Sequence, residues 1–199
     1  VTAGYIHAQP RADVFAKMDA ANVDLKGFTE QFYHRLTGSH LQPVLETLQY
    51  LVHQTTVWTE ITTLLIPGFN DSDEEIHKLS EWVLRELRPD VPLHFSAFHP
   101  DYKMMNVPPT RPETLQKARA IARSVGLLHV YTGNVHDVEG DTTLCPGCGE
   151  SLIVRDYYQL LSYKLDERGC CPGCGHQLAG HFDPTVGTFG RRRLPIRIR

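Results

Sequence analysis

The 199-residue chain carries 20 Lys and Arg against 23 Asp and Glu, a formal net charge of −3, with 41% hydrophobic and 22% charged residues. That balance suits a globular protein with one sizeable core and a small appendage, and it gives no footing for nucleic-acid binding. No apolar stretch is long enough to span a bilayer and no secretory signal is present, so a cytoplasmic protein is expected.

The chain opens without a methionine on Val1-Thr2-Ala3-Gly4-Tyr5, which reads as the end of a strand, and a fragment lacking the N-terminal part of a longer protein is expected. Val14, Phe15 and Met18 recur at helical spacing, and the apolar strand Asn22-Val23-Asp24-Leu25-Lys26-Gly27-Phe28 follows. Val44, Leu45, Leu48, Leu51 and Val52 mark an amphipathic helix, and the β-branched run Val57 to Ile66 stops at Pro67-Gly68. Ser72 with Glu75 predicts a capping box for a helix carrying Ile76, Leu79, Val83 and Leu87, ended by Pro89. Leu93 to Phe98 is the next strand. Thr110, Pro112 and Glu113 open a helix through Leu115, Ile121, Ala122 and Val125, closed by Gly126, and Leu127 to Tyr131 is the last strand. Strands and helices alternating in this way predict βαβ units and a parallel sheet. Five strands cannot close an eight-stranded barrel of roughly 250 residues. Either the sheet is open or strands are missing upstream, which the absent start favours; the expected architecture is α/β, a partial (β/α) TIM-type barrel over residues 1–136.

Asp24 and Lys26 stand two residues apart at the far end of their strand, so their side chains share a face. In parallel α/β sheets ligands sit beyond the carboxyl ends of the strands, which makes this pair a candidate site; a surface ion pair is the plain alternative. His99 occupies the start of a βα loop, at the same rim. Glu60, Thr62 and Thr63 lie inside a strand, where polar side chains face a wet lumen, a partner or a ligand, although β-propensity accounts equally well for the threonines. His34, His40, His53 and His77 fall on helices or loops and are read as surface residues.

All five cysteines lie between Cys145 and Cys174. Cys145-Pro146-Gly147-Cys148-Gly149 recurs as Cys171-Pro172-Gly173-Cys174-Gly175, with 22 residues between the inner cysteines. Two Cys-x-x-Cys turns at such a separation supply four thiolates for a structural zinc site, Cys145, Cys148, Cys171 and Cys174, in a zinc-ribbon-like module over residues 143–182. The repeat sets the register and leaves Cys170 spare. A redox motif needs only one such pair, at the start of a helix. Residues 183–199, ending in Arg191-Arg192-Arg193-Leu194-Pro195-Ile196-Arg197-Ile198-Arg199, form a basic tail read as a solvated terminus.

Four stretches together resemble the C-terminal part of a radical S-adenosylmethionine enzyme: Asn22 to Phe28, Tyr33-His34-Arg35-Leu36-Thr37-Gly38, Leu65-Ile66-Pro67-Gly68-Phe69-Asn70-Asp71, and Phe98-His99-Pro100. The family resembled is the AmmeMemoRadiSam system radical SAM enzymes, relatives of the pyruvate formate-lyase activating enzymes. The resemblance implies that Asp24, Lys26 and His99 face S-adenosylmethionine. It implies a [4Fe-4S] cluster held by a Cys-x-x-x-Cys-x-x-Cys loop, and reductive cleavage of S-adenosylmethionine to a 5'-deoxyadenosyl radical that abstracts hydrogen from an unknown substrate, a protein being one candidate. A reductant such as flavodoxin or ferredoxin is implied as well. This chain departs from the family pattern in three places: Thr2-Ala3-Gly4 stands for its Thr-Asn-Gly turn, Thr62 for an arginine, and no Cys-x-x-x-Cys-x-x-Cys stretch occurs. Two rival readings stay open. Lys26 could be the Schiff-base nucleophile of an aldolase-like lyase with Asp24 as its proton partner, or the barrel could be a non-catalytic scaffold for its zinc module.

Overall fold

The computed structural model describes residues 1–182, so the basic tail 183–199 lies outside the described residues. The chain divides into two compact units, Val1–Val135 and His136–Arg199. Among the described residues no helix is long and apolar enough to cross a membrane.

In the first unit, strands β1 (Ala20–Asp24), β2 (Trp58–Leu65), β3 (Leu93–Ala97) and β4 (Val130–Gly133) form one parallel sheet in the order β1-β2-β3-β4. Burial alternates with the two-residue period of each strand. One face, with Val23, Ile61, Leu65, Leu93, Phe95 and Val130, packs on the apolar stripes of α3 (Gln42–Gln54), α4 (Asp73–Trp82) and α5 (Pro112–Val125) in a single core. The other face carries Asn22, Asp24, Glu60, Thr62, His94, Ser96 and Tyr131, all half-exposed. That asymmetry departs from an open doubly wound sheet, where both faces are covered and strands read as continuous apolar runs. The described residues show four parallel strands and no closed barrel.

Several local expectations change. Val1 to Tyr5 contributes a single parallel bridge, Thr2 to Val23, because the chain turns away at once: the Gly4 N–H donates to Thr2 Oγ1 at 3.1 Å, and Gly4 has φ 68°. Helix α1 (Ala8–Phe15) buries only Phe15; Val14 is exposed, and Met18, also exposed, lies beyond its end. Strand β1 stops at Asp24, two residues short of Lys26. A short α2 (Glu30–Phe32) widens into a π turn over Tyr33–Thr37, and α4 widens likewise over Val83–Leu87 before Arg88, which Pro89 holds extended at φ −158° and ψ 154°. Ser72 caps α4 by accepting from the Glu75 N–H at 3.3 Å, but the Glu75 carboxylate does not complete the box and instead accepts from the Phe28 N–H at 2.6 Å. Thr110 is no helix cap. Arg111 holds that position, while buried Thr110 donates to the Leu65 carbonyl at 2.6 Å and accepts from the Phe98 N–H at 3.0 Å, tying the ends of β2 and β3 together. Helix α5 ends at Gly126 as expected, and the last strand starts at Val130 rather than Leu127.

The second unit is a three-stranded antiparallel sheet of β5 (Thr143–Leu144), β6 (Ser151–Asp156) and β7 (Gln159–Tyr163) in the order β5-β6-β7. Among the described residues its buried hydrophobic core is six residues: Cys145, Leu152, Ile153, Leu165, Cys171 and Leu178. Two of the six are cysteines of the repeated motif, so the core is organised around sulfur as much as around hydrocarbon.

Candidate functional site

The carboxyl end of β1 is built by backbone capture. Past Asp24 the chain leaves the sheet, and the peptide groups of Lys26 to Phe28 lose their ladder partners. Side chains from two other segments replace them. The Lys26 N–H donates to the Tyr33 hydroxyl at 3.1 Å, Asn70 Nδ2 donates to the Lys26 carbonyl at 2.7 Å, and Glu75 holds the Phe28 N–H. Gly27 is required between them, since a Cβ there would stand 2.6 Å from the Phe32 ring. Asn70, 2% exposed, also donates to the Leu64 carbonyl at 2.9 Å and accepts from the Ile66 N–H at 2.7 Å. The Ile66-Pro67-Gly68-Phe69-Asn70-Asp71 turn thus fastens the end of β2 to the end of β1. Burial pushes the Tyr33 hydroxyl up to about 12, so it stays a neutral acceptor for the Lys26 amide. Burial also raises the Glu75 carboxyl, against the lowering effect of the Phe28 N–H.

On this frame Lys26 Nζ lies 2.9 Å from Asp24 Oδ1, with the two side chains 37% and 20% exposed. The pair is accessible from the open face and held only partly out of water. His99 lies two residues beyond β3, exposed, and makes no hydrogen bond or ion pair with Asp24 or Lys26. The three sequence-predicted residues share the carboxyl-end rim, but only two of them touch. Thr63 belongs elsewhere: its hydroxyl is buried on the helix side and donates to the Leu25 carbonyl at 2.8 Å. Thr62 stays on the open face and donates to Asn22 Oδ1 at 2.9 Å.

Sequence reasoning misses a second polar group on the open face. Glu60 Oε2 lies 2.9 Å from His94 Nε2, and Trp58 Nε1 donates to Glu60 Oε1 at 3.0 Å. The His94 ring stacks on Tyr131, with centroids 5.1 Å apart and planes at 30°. Glu60 stands out in the sequence as a polar strand residue; following the same two-residue period onto the next strand is the signal that would find His94.

In the second unit the structure brings Cys145, Cys148, Cys171 and Cys174 together, with their sulfurs all within 4.8 Å of one another. Cys145 Sγ is 3.5 Å from Cys174 Sγ, and Cys148 Sγ is 3.7 Å from Cys171 Sγ. The two motifs fold alike. The Gly149 N–H donates to the Cys145 carbonyl at 2.8 Å and the Gly175 N–H to the Cys171 carbonyl at 2.8 Å, while the N–H groups of Cys145 and Cys171 reach Glu150 and His176 at 2.8 and 2.9 Å. Gly149 and Gly175 take φ 77° and 75°, the left-handed turn that glycine adopts without strain. Burial pushes the Cys145 thiol up, but the N–H groups of Cys148 and Gly147 and its neighbouring thiols outweigh it and bring the group down to about 7. The His176 N–H lowers Cys174, yet its contacts with Cys145 and Cys148 prevail and push it up to about 12. Four sulfurs this close cannot all ionise unless a cation joins them. Cys170 stays outside the group and donates to Gln177 Oε1 at 3.1 Å.

No family model matches the chain. It is 41% identical over 179 residues to an uncharacterized protein of Methanocaldococcus jannaschii, covering 89% of this chain and 53% of that protein. Over 120 residues it is 25% identical to the pyruvate formate-lyase 1-activating enzyme of Escherichia coli K12, covering 54% of this chain and 48% of the enzyme. The chain spans about half the length of the curated relatives it matches. Among solved structures, a domain of the pyruvate-formate lyase-activating enzyme from Bacteroides vulgatus superposes with a TM-score of 0.57 at 16% identity, over 67% of this chain and 80% of that one. A radical SAM methyltransferase from Sphaerobacter thermophilus superposes with a TM-score of 0.51 at 17% identity, over 62% of this chain and 37% of that one. The chain is thus distantly related to the activating enzymes, and over about two thirds of its length it shares the fold of those two solved structures.

Proposed function

We propose that this chain is part of a radical S-adenosylmethionine enzyme of the activating-enzyme type, of the AmmeMemoRadiSam kind, with Asp24, Lys26 and His99 on its cofactor side. The observation that carries the reading is the Asp24–Lys26 pair, half-exposed at the carboxyl end of a parallel strand in a chain related to those enzymes. An ammonium steadied by a carboxylate suits the amino-acid end of S-adenosylmethionine, whose carboxylate Lys26 would hold by a charge-assisted hydrogen bond. Asp24 would keep that ammonium in place and offer a second acceptor to the ligand's amino group. Tyr33, Asn70 and Glu75 keep the Lys26 backbone from drifting. With a cluster held by another segment, the bound cofactor would supply the radical chemistry that removes hydrogen from a substrate, while this chain's own residues hold and orient it. The 199 residues contain no Cys-x-x-x-Cys-x-x-Cys stretch, so they do not fit such a cluster at the family position, and its ligands belong to another segment on this reading.

For the four-cysteine group the reading is one tetrahedral ion, zinc, in a structural role. Zn–S bonds of about 2.3 Å set tetrahedral sulfurs roughly 3.8 Å apart. The observed 3.5 and 3.7 Å support that size, whereas a [4Fe-4S] cluster interposes four irons and needs its thiolates farther apart. Four sulfur ligands leave no position for a reactant.

Calorimetric titration with S-adenosylmethionine of a longer protein that includes the cluster-binding segment, loaded with its cluster, tests the cofactor side. Lys26→Ala is expected to weaken binding about tenfold or more, from the roughly 1.5–3 kcal/mol of a hydrogen bond to a charged group, with an unchanged fold. Unchanged affinity removes Lys26 from the site. Borohydride trapping yields no lysine adduct on this reading and one on the lyase reading.

A further inference from the structure

Asp24, Thr62, His94 and Tyr131 pair in register across all four strands and form one row of side chains on the open face. Three inter-strand steps make that row about 14 Å long. The Asp24–Lys26 pair occupies one end. The other end is the Glu60–His94–Tyr131 group, two strands away, and nothing in the proposed cofactor contacts uses it.

The chemistry of that second group is specific. Both Glu60 carboxylate oxygens are engaged by donors from the same face, Trp58 Nε1 and His94 Nε2. A carboxylate on Nε2 selects the tautomer with the proton there and leaves Nδ1 as an acceptor. Among the described residues Nδ1 makes no hydrogen bond, and the ring is 30% exposed. Tyr131 backs the ring and limits its rotation. The next row on β3 and β4 is Ser96 and Gly133, both smaller than the residues of the His94 row. An imidazole oriented by a carboxylate, braced by an aromatic ring and left open at one nitrogen is more than folding requires at this position. A half-exposed strand face is served by a threonine, as at Thr62.

We infer that His94, oriented by Glu60 and Tyr131, is the contact of the open face for the reactant other than the cofactor, accepting at Nδ1 a hydrogen bond from an O–H or N–H group of a small polar substrate or a peptide-like amide. His94 is then a substrate-contacting residue, and Glu60 is a positioning residue that acts through it. Among the described residues, the titratable and charged groups on the strands that face it are Glu60 on β2 and Tyr131 on β4, each with further partners of its own, and Asp24 at the far end of the row on β1. The inference rests on the open face being the ligand face of the enzyme proposed above.

The test is long-range proton–nitrogen NMR of the histidine-labelled 199-residue chain, titrated with N-methylacetamide, with 1,2-propanediol, and with N,N-dimethylacetamide as the probe that lacks a donor. The expected result is an Nε2–H tautomer for His94, saturable displacement of its Nδ1 signal by one or both donor probes, and no response to N,N-dimethylacetamide. Which donor acts tells whether the substrate group is an amide or a hydroxyl. In Glu60→Ala the tautomer should become mixed and the affinity for the active probe fall about fivefold or more, the worth of one oriented hydrogen bond. An Nδ1–H tautomer in the unsubstituted chain, unchanged tautomers in Glu60→Ala, or an equal response to the donor-free amide overturns the inference. S-adenosylmethionine affinity, measured separately by calorimetry, judges the cofactor reading, so the two can fail independently.

Discussion

Asn70→Ala should destabilise the first unit by about 3–4 kcal/mol. The side chain is 2% exposed and makes three hydrogen bonds, at 2.7 Å to the Ile66 N–H, 2.7 Å to the Lys26 carbonyl and 2.9 Å to the Leu64 carbonyl. Each bond is worth roughly 1 kcal/mol net, and the buried peptide groups left without partners add to the loss where water cannot reach them. For a unit of this size such a loss corresponds to a fall of about 10–15 °C in Tm. Both tryptophans, Trp58 and Trp82, lie in the first unit, so urea unfolding followed by tryptophan fluorescence reads this unit without interference from the second. Asn70→Asp separates hydrogen bonding from packing. It keeps shape and one acceptor but turns a donor into an oxygen facing two carbonyls, and it should cost at least as much as alanine. A loss under about 1 kcal/mol in both variants would refute the claim that this side chain joins the ends of β1 and β2.

Cys170→Ser should leave one zinc per chain by metal analysis, whereas Cys171→Ser should lose it, because only Cys171 lies in the four-sulfur group. Stripping the metal with a chelator should abolish the second unit's structure, by loss of amide protection after residue 142, while the tryptophan signal persists. Tyr33 gives a pH test: its hydroxyl is raised from 10.0 to about 12, so the folded state favours the neutral form, its contribution is complete below pH 10, and it is lost as pH rises towards 12. That rise is equivalent to roughly 2–3 kcal/mol, and a Tyr33→Phe variant should lose about that much less stability than the unsubstituted protein over this range.

These strands and helices were legible from residue type and spacing: the β-branched run of Val57 to Ile66 is a strand whose burial alternates, and the stripe of Val44, Leu45, Leu48 and Leu51 recurs as a buried helix face. The four cysteines were legible because the motif repeats in sequence and its spacing is local. What the sequence did not yield is what depends on the partner of a side chain across the chain. Ser72 and Glu75 carry the pattern of a capping box, yet Glu75 finds a better donor 47 residues away at Phe28, and Thr110 finds Leu65 45 residues away. Local spacing cannot report such exchanges. Likewise Thr62 and Thr63 are indistinguishable as residue types, and only the strand's parity separates the one on the open face from the one under the helices. His94 escapes sequence reasoning for the same reason: its meaning comes from Glu60 on the neighbouring strand, 34 residues earlier.

The grip of Glu75 on Phe28 has a consequence for how occupancy of the rim would be sensed. Glu75 sits in the first turn of α4, and Asn70 lies just before that helix, so the segment from Lys26 to Phe28 and the start of α4 are fastened to one another. A ligand that steadies Lys26 should therefore slow amide hydrogen exchange in the first turn of α4 as well as in the rim itself. The helix would register binding without touching the ligand.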